Sequence, residues 1–202
     1  MIFVRDKGRM CNNILQYGHL YAWARANNRK TVSMRFAYKY QYFHICRTRW
    51  HNFFVYLFAK YAAKLRLIPT VRFDTPDEDL TEKENAMRRG CLVAEGWFAR
   101  WYDLFLQYKP EILSLFAFDS HIESKVTSLL ETSSKEGIIR LGVHIRRGDY
   151  ATWNDGRFLY DDKQMINIIR QFILLHPNKR VVIYICGNDP KLNKQAYSEA
   201  FG

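Results

Sequence analysis

The residues best suited to chemistry sit in one run, Leu141-Gly142-Val143-His144-Ile145-Arg146-Arg147-Gly148-Asp149-Tyr150. An alternating apolar stretch stops there at two adjacent arginines, a glycine and an aspartate. Arginine presents planar, permanently charged donors that match the oxygens of a phosphate. In open α/β sheets, ligand-binding groups gather outside the carboxyl ends of the strands. A strand ending in His144-x-Arg146-Arg147-x-Asp149 therefore implies a pocket for a phosphorylated or nucleotide-linked substrate. Arginine would neutralise a diphosphate leaving group, and Asp149 would orient an arginine or a sugar hydroxyl. The plain alternative is a surface salt-bridge cluster, and its place directly after a strand weighs against that.

The elements needed to hold this run can be read on both sides of it. Ile138 to Ile145 has the β-branched character of a strand. Asp161 fits the N-cap of a helix whose Gln164 completes a capping box. Met165, Ile168, Ile169, Phe172 and Ile173 mark the buried face of that helix. Pro177-Asn178 ends it, Val181 to Cys186 reads as a fully buried strand, and Gly187-Asn188-Asp189-Pro190 opens one more helix. This βαβα order implies a parallel sheet.

Toward the N-terminus, Ile2-Phe3-Val4 reads as a short buried strand. A loop follows at Gly8 to Asn13, then a helix from about Asn12 to Asn27 and a second strand at Thr31 to Met34. A helix is expected from His51 to Leu67, with Val55, Phe58, Ala62 and Leu65 on one face. Thr75 fits the N-cap of another, with Pro76 in its first turn and Glu78 in a capping box. Leu92-Val93 reads as a strand leading into Gly96-Trp97-Phe98, with helices near 99–116 and 119–132.

Several other groups compete for attention. Gly8, Asn12 and Asn13 would shape a loop at a helix start suited to a sugar or phosphate, or a plain turn with an asparagine cap. His19 reads as structural or surface-bound. Asp77-Glu78-Asp79 has the spacing that metal-dependent glycosyltransferases use for manganese, but capping chemistry accounts for it and no metal is expected. Asp189 would lie near a nucleotide or cap a helix.

Charge narrows the partners. The net charge of +11 is uneven, since residues 1–72 carry 14 basic residues and one acidic residue, Asp6. This third should face something anionic. Residues 35–68 interleave aromatics with basic groups. That segment could dock on an anionic membrane, stack nucleic-acid bases, or form a core helix with snorkelling cations. No RNA- or DNA-binding signature accompanies it, so no nucleic acid is expected. Cys11, Cys46, Cys91 and Cys186 lie far apart with no metal-type spacing and read as reduced thiols of a cytosolic protein. The start meets charge too early for a secretory leader, and no apolar run reaches membrane-spanning length.

The run His144-Ile145-Arg146-Arg147-Gly148-Asp149-Tyr150 resembles the HxRRxD signature of the fucosyltransferase superfamily, and bacterial α-1,2-fucosyltransferases of glycosyltransferase family 11 look closest. Four other stretches are similar to that family. Gly8 to Tyr17 resembles its opening GGLGNQxFQY segment, less one glycine and the glutamine. Gly96-Trp97-Phe98 with Ile112 and Phe116 is similar to its central strand and helix. Gly156 to Tyr160 and Ile183 to Pro190 resemble the stretch after the motif and a later strand end.

The resemblance implies an α/β, glycosyltransferase-B-like fold of two Rossmann-like halves. Residues 1–136 would form the acceptor side and 137–202 a nucleotide-sugar half that is incomplete, with only two clear strands. It further implies inverting transfer of fucose from GDP-fucose to a galactose-containing glycan acceptor, without a metal or other cofactor, in bacterial surface-polysaccharide synthesis. Arg146 would meet the donor β-phosphate, Arg147 and Asp149 would support it, and His144 would line the site. Asp149, Asp155 and Glu95 are the candidate bases for the acceptor hydroxyl. The protein would be cytoplasmic, with peripheral contact at the inner face of the membrane. The alternative is a truncated, non-catalytic nucleotide-sugar-binding remnant.

Overall fold

The computed structural model describes residues 1–76, 78–131 and 137–202. The chain divides into two compact units, Met1–Ser124 and Lys125–Gly202. This division precedes the boundary expected at 136/137, which adjoins residues outside the described set.

In the first unit the chain runs β1 (Ile2–Arg5), α1 (Met10–Ala26), β2 (Thr31–Ser33), α2 (Phe53–Lys64), β3 (Thr70–Arg72), α3 (Thr81–Arg88), β4 (Leu92–Glu95), α4 (Tyr102–Gln107) and α5 (Lys109–Leu115). Helix α6 (Ser120–Glu131) begins at its end. The sheet has the order β2-β1-β4-β3, and every pairing is parallel, with Ile2 opposite both Thr31 and Leu92. Central parallel strands covered on both faces read as unbroken apolar runs. Ile2-Phe3-Val4 and Leu92-Val93-Ala94 are such runs, and all six residues are buried.

Side chains alternate across the sheet. Ile2, Val4, Leu92 and Ala94 join one core with Tyr17, Leu20 and Trp23 of α1. Phe3, Val32 and Val93 point the other way, onto Ala59 of α2. Gly96 follows β4 with φ +122°, and a Cβ there would stand 2.3 Å from the Phe73 carbonyl oxygen. Only glycine fits that crossing of backbones.

Two helix expectations need correction. Helix α2 packs through Val55, Tyr56, Ala59 and Ala63, while Phe58 and Leu65, expected inside, are exposed. Alanine lets the helix axis come close to the sheet and leaves the large side chains on the outer face. Likewise Thr75 caps no helix. Its hydroxyl donates to Glu78 Oε2 at 3.0 Å, and α3 starts later, where Asp79 Oδ1 accepts from the Thr81 amide at 2.9 Å.

The second unit contains β5 (Ile138–Ile145), α7 (Asp162–Leu174), β6 (Arg180–Gly187) and α8 (Lys194–Phe201). Strands β5 and β6 pair in parallel, from Ile138 opposite Arg180 to Ile145 opposite Gly187. Asp161 and Gln164 form the expected capping box at α7. Val143, Ile145, Ile169 and Tyr197 form the core of this unit.

Strand β6 is half-buried, not fully buried. The packed apolar residues Leu141, Val143, Ile145, Ile183 and Ile185 share one face with α7 and α8. Arg140, Gly142 and His144 alternate with them and are exposed. Ile168 is also exposed, and Ile166 packs in the core instead. Pro190 does not start the last helix: Asn193 caps it, accepting from the Ala196 amide at 3.1 Å.

Candidate functional site

Strand β5 ends at Ile145, so Arg146 and Arg147 begin the loop outside its carboxyl end. Their side chains have different surroundings. The Arg147 guanidinium is 15% exposed and is met on several sides. Its Nη2 donates to Asp162 Oδ1 at 2.6 Å, its Nη1 to Asp189 Oδ2 at 3.4 Å, and its Nε to the Tyr160 carbonyl at 2.9 Å. Asp162 also accepts from the Tyr197 hydroxyl at 2.9 Å. The Asp162 carboxyl is held below its ordinary range, chiefly by the Arg147 hydrogen bond. Burial, and then that same hydrogen bond to Asp162, push the Tyr197 hydroxyl up to about 12.

Arg146 is more open, at 35% exposure. Its Nη2 donates to Asp149 Oδ2 at 3.0 Å, and its guanidinium lies 4.4 Å from the Tyr150 ring centroid. Tyr150 stacks on Trp153 at 5.3 Å, and Trp153 leans on Phe158 at 5.5 Å. These rings form a shelf beside the arginine. The cleft here holds about 550 Å³ and is lined by His144, Ile145, Arg146, Tyr150, Trp153, Phe158, Tyr160 and Met165. The turn carrying the shelf uses left-handed backbone at Asn154, Asp155 and Gly156, which asparagine, aspartate and glycine tolerate best.

The structure thus brings together His144, Arg146, Arg147, Asp149 and Asp189. Asp189 is bound to Arg147 and caps a turn, accepting from the Lys191 amide at 2.8 Å. It does not cap the helix expected there. Asn188 Oδ1 accepts from the Arg147 amide at 3.1 Å and so fixes the loop to the end of β6. Sequence reasoning missed Asp162, Asn188, Tyr197 and the aromatic shelf. The density of rings from Tyr150 to Tyr160 was the available signal for the shelf.

Gly8, Asn12 and Asn13 belong to the other unit. Gly8 has φ +90°, and Asn13 is buried with its Nδ2 donating to the Lys7 carbonyl at 3.0 Å. Gln16, also buried, accepts from the Lys7 amide and donates to the Lys7 carbonyl at 2.7 Å. Asn12 lies exposed in the first turn of α1. The turn is thus pinned from inside the helix. His19 is structural: it is buried, accepts from the Trp101 amide at 3.2 Å, and has its pKa pushed down to about 4, mainly by burial.

Of the candidate bases, Glu95 is buried and bridges Arg5 at 2.9 Å and Arg72 at 3.0 Å. Asp155 is exposed in the turn after Trp153. Asp149 alone among them touches Arg146. Within the Asp77-Glu78-Asp79 run, Asp77 lies outside the described residues, while Glu78 pairs with Lys83 and Asp79 holds Thr81. Among the described residues no three His, Cys, Asp or Glu side chains gather as a metal cage. No helix among them is long and apolar enough to cross a membrane.

The sequence matches no family model and no curated protein. Its fold is similar to solved structures. One is NodZ alpha-1,6-fucosyltransferase soaked with GDP-fucose, at TM-score 0.53 and 13% identity, covering 98% of this chain and 74% of that one. Another is the fucosyltransferase NodZ from Bradyrhizobium, at TM-score 0.51 and 11% identity, covering 98% and 75%. The expected mixed α/β fold with parallel sheets is therefore shared with these enzymes.

Proposed function

We propose that this chain is a glycosyltransferase of the HxRRxD fucosyltransferase superfamily, with a glycosyltransferase-B-type fold and GDP-fucose as donor. The observation that carries the reading is the half-open Arg146 at the end of β5, held by Asp149 beside an aromatic shelf. The shared fold with an enzyme soaked with GDP-fucose supports it. In this reading the guanine stacks on the shelf and the β-phosphate displaces Asp149 from Arg146. As the bond from fucose C1 to the diphosphate oxygen breaks, Arg146 neutralises the charge that develops on GDP. Arg147 positions the loop and His144 lines the cleft. Asp149, displaced from Arg146, is the carboxylate assigned to take the acceptor proton. Inversion at C1, an α-1,2 linkage, a galactose-containing acceptor and a place in bacterial surface-polysaccharide synthesis belong to this proposal. So do the absence of any metal or cofactor requirement and a cytoplasmic location.

Peripheral contact with an anionic membrane also belongs to it. Phe53, Phe54, Phe58, Tyr61 and Leu65 of the α2 region are exposed alongside Lys60 and Lys64, the pairing of rings and cations that interfacial helices use.

Turnover of GDP-fucose by the full chain, with Arg146→Ala beside it, tests the reading. Loss of one such charge stabiliser should cost roughly 10²–10³ in rate. Undiminished turnover in the variant would remove the phosphate role. Calorimetric binding of GDP without turnover would leave a nucleotide-sugar-binding module.

A further inference from the structure

The first unit carries a second cleft, of about 590 Å³, outside the carboxyl ends of β1, β2 and β3. Five cations line it: Arg5, Arg35, Lys60, Lys64 and Arg72. Two of these are already spoken for, because Arg5 and Arg72 hold the buried Glu95 between them. Among the described residues the other three form no ion pair with a carboxylate, although the buried Asp6 carboxyl, which also lines the cleft, feels the charge of Arg35. Arg35 is held by neutral oxygens, its Nη1 donating to the Tyr38 hydroxyl at 2.9 Å and its Nη2 to the Asp6 carbonyl at 3.5 Å. Lys60 lies 5.7 Å from the centroids of Tyr56 and Tyr61.

Asp6, in the lining of the cleft, is tied into a hydrogen-bonded network beneath it. Asp6 is buried with its Oδ2 accepting from Ser33 Oγ at 2.7 Å, and Ser33 Oγ accepts from the Phe36 amide at 3.1 Å. The Ser33 amide donates to His51 Nε2 at 3.0 Å, and His51 Nδ1 lies 2.6 Å from the Thr48 hydroxyl. The wall is aromatic, with Tyr38 and Tyr56 centroids 4.5 Å apart. A concave site lined by uncompensated cations of one sign concentrates anions. Convergent polar groups beside an aromatic wall are the usual makeup of a small-ligand site.

We infer that this cleft binds a phosphorylated saccharide, its phosphoryl oxygens on Arg35, Lys60 and Lys64 and its ring against Tyr38 and Tyr56. The inference does not need the fucosyl-transfer reading, because every group it uses lies in the first unit. The same chemistry is available from a soluble sugar phosphate or from the phosphate of a lipid-borne headgroup.

Calorimetry on the full chain at physiological salt tests it, with galactose 6-phosphate, galactose and inorganic phosphate as probes. Galactose 6-phosphate should bind with Kd at or below about 1 mM, more tightly than inorganic phosphate, and galactose should give no heat. Lys60→Gln with Lys64→Gln removes two exposed cations and should weaken binding by about tenfold or more, since charge-assisted contacts are the strong ones. Retained circular dichroism would show that the variant folds.

Arg146→Ala should leave galactose 6-phosphate affinity unchanged while GDP affinity falls, so the two sites fail independently. Equal binding by the lysine variant, no binding by wild type, or loss in Arg146→Ala would overturn the inference. Flotation with vesicles containing phosphatidate separates the sources. Vesicle binding without galactose 6-phosphate binding would assign the cations to a membrane surface and overturn the saccharide site.

Discussion

Asp6 offers a perturbation whose sign and size follow from the structure. Its carboxyl is buried and receives one hydrogen bond, from Ser33, while its Oδ1 has no partner. Burial pushes its pKa from 3.8 to about 7. Between those values the folded protein holds a proton that the unfolded chain has released. Stability from this group is therefore fully present below about 4, falls as pH rises, and levels off above about 7. The span of the loss is on the order of 4 kcal/mol, from 1.36 kcal/mol per pH unit. His19 and His51, both pushed down to about 4 mainly by burial, act in the opposite direction between 4 and 6.5. The informative quantity is thus a difference between variants. Asp6→Asn keeps the shape and neutrality of the protonated acid, so it should match wild type near pH 3.5, where both states of Asp6 are protonated, and exceed it by about 4 kcal/mol near pH 8.5. Urea unfolding followed by tryptophan fluorescence reads this, because Trp23, Trp50, Trp97 and Trp101 all lie in the first unit. A difference between the variants that is constant across pH would show that Asp6 stays ionised in the fold, and the burial argument would be wrong.

Two further substitutions test the framework around the sites. Arg147→Met would leave Asp162 and Asp189 without their cation and should destabilise the second unit by about 3 kcal/mol, read as faster hydrogen exchange in β5 and β6. Arg147→Lys, which keeps the charge but not the fork, should fall between; exchange unchanged in both would deny the network a structural role. Gly96→Ala should cost at least about 2 kcal/mol of first-unit stability, since its Cβ would meet the Phe73 backbone. A thermal midpoint equal to wild type would mean that this crossing can relax.

What the sequence disclosed was local, and what it concealed depended on distant partners. The capping box at α7 needs only Asp161 and Gln164, three residues apart, and it formed as read. The parallel β5-β6 pair followed from the βαβα order. By contrast, the burial of β6 depends on which faces the helices cover, and α7 and α8 share one face, so a continuous apolar run became a half-buried strand. Helix α2 misled because hydrophobicity ranks Phe58 above Ala59, whereas close packing on a sheet favours the smaller side chain. Asp6 left no signal at all. Its meaning arises from Ser33 on β2, which is itself fixed by His51 far along the chain.

The arginine pair was the clearest feature of the sequence, and the structure separates its members. Two adjacent guanidinium groups cannot both sit uncompensated in a partly buried loop, because like charges at that spacing repel and each needs desolvated partners. Arg147 answers this by turning into Asp162, Asp189 and the Tyr160 carbonyl. These contacts join the ends of β5 and β6 to the start of α7, and with its charge balanced there Arg147 adds little attraction for a ligand. Arg146 keeps its charge near solvent, paired with Asp149, whose side chain is 44% exposed. Such an exposed pair is weak, so an incoming phosphate needs little free energy to replace Asp149. In the proposed reading the exchange would leave that carboxylate beside the bound anion, where a general base for an acceptor hydroxyl would have to stand. On the same reading the motif is a division of labour. One arginine fixes the loop, and the other would be given up to a ligand.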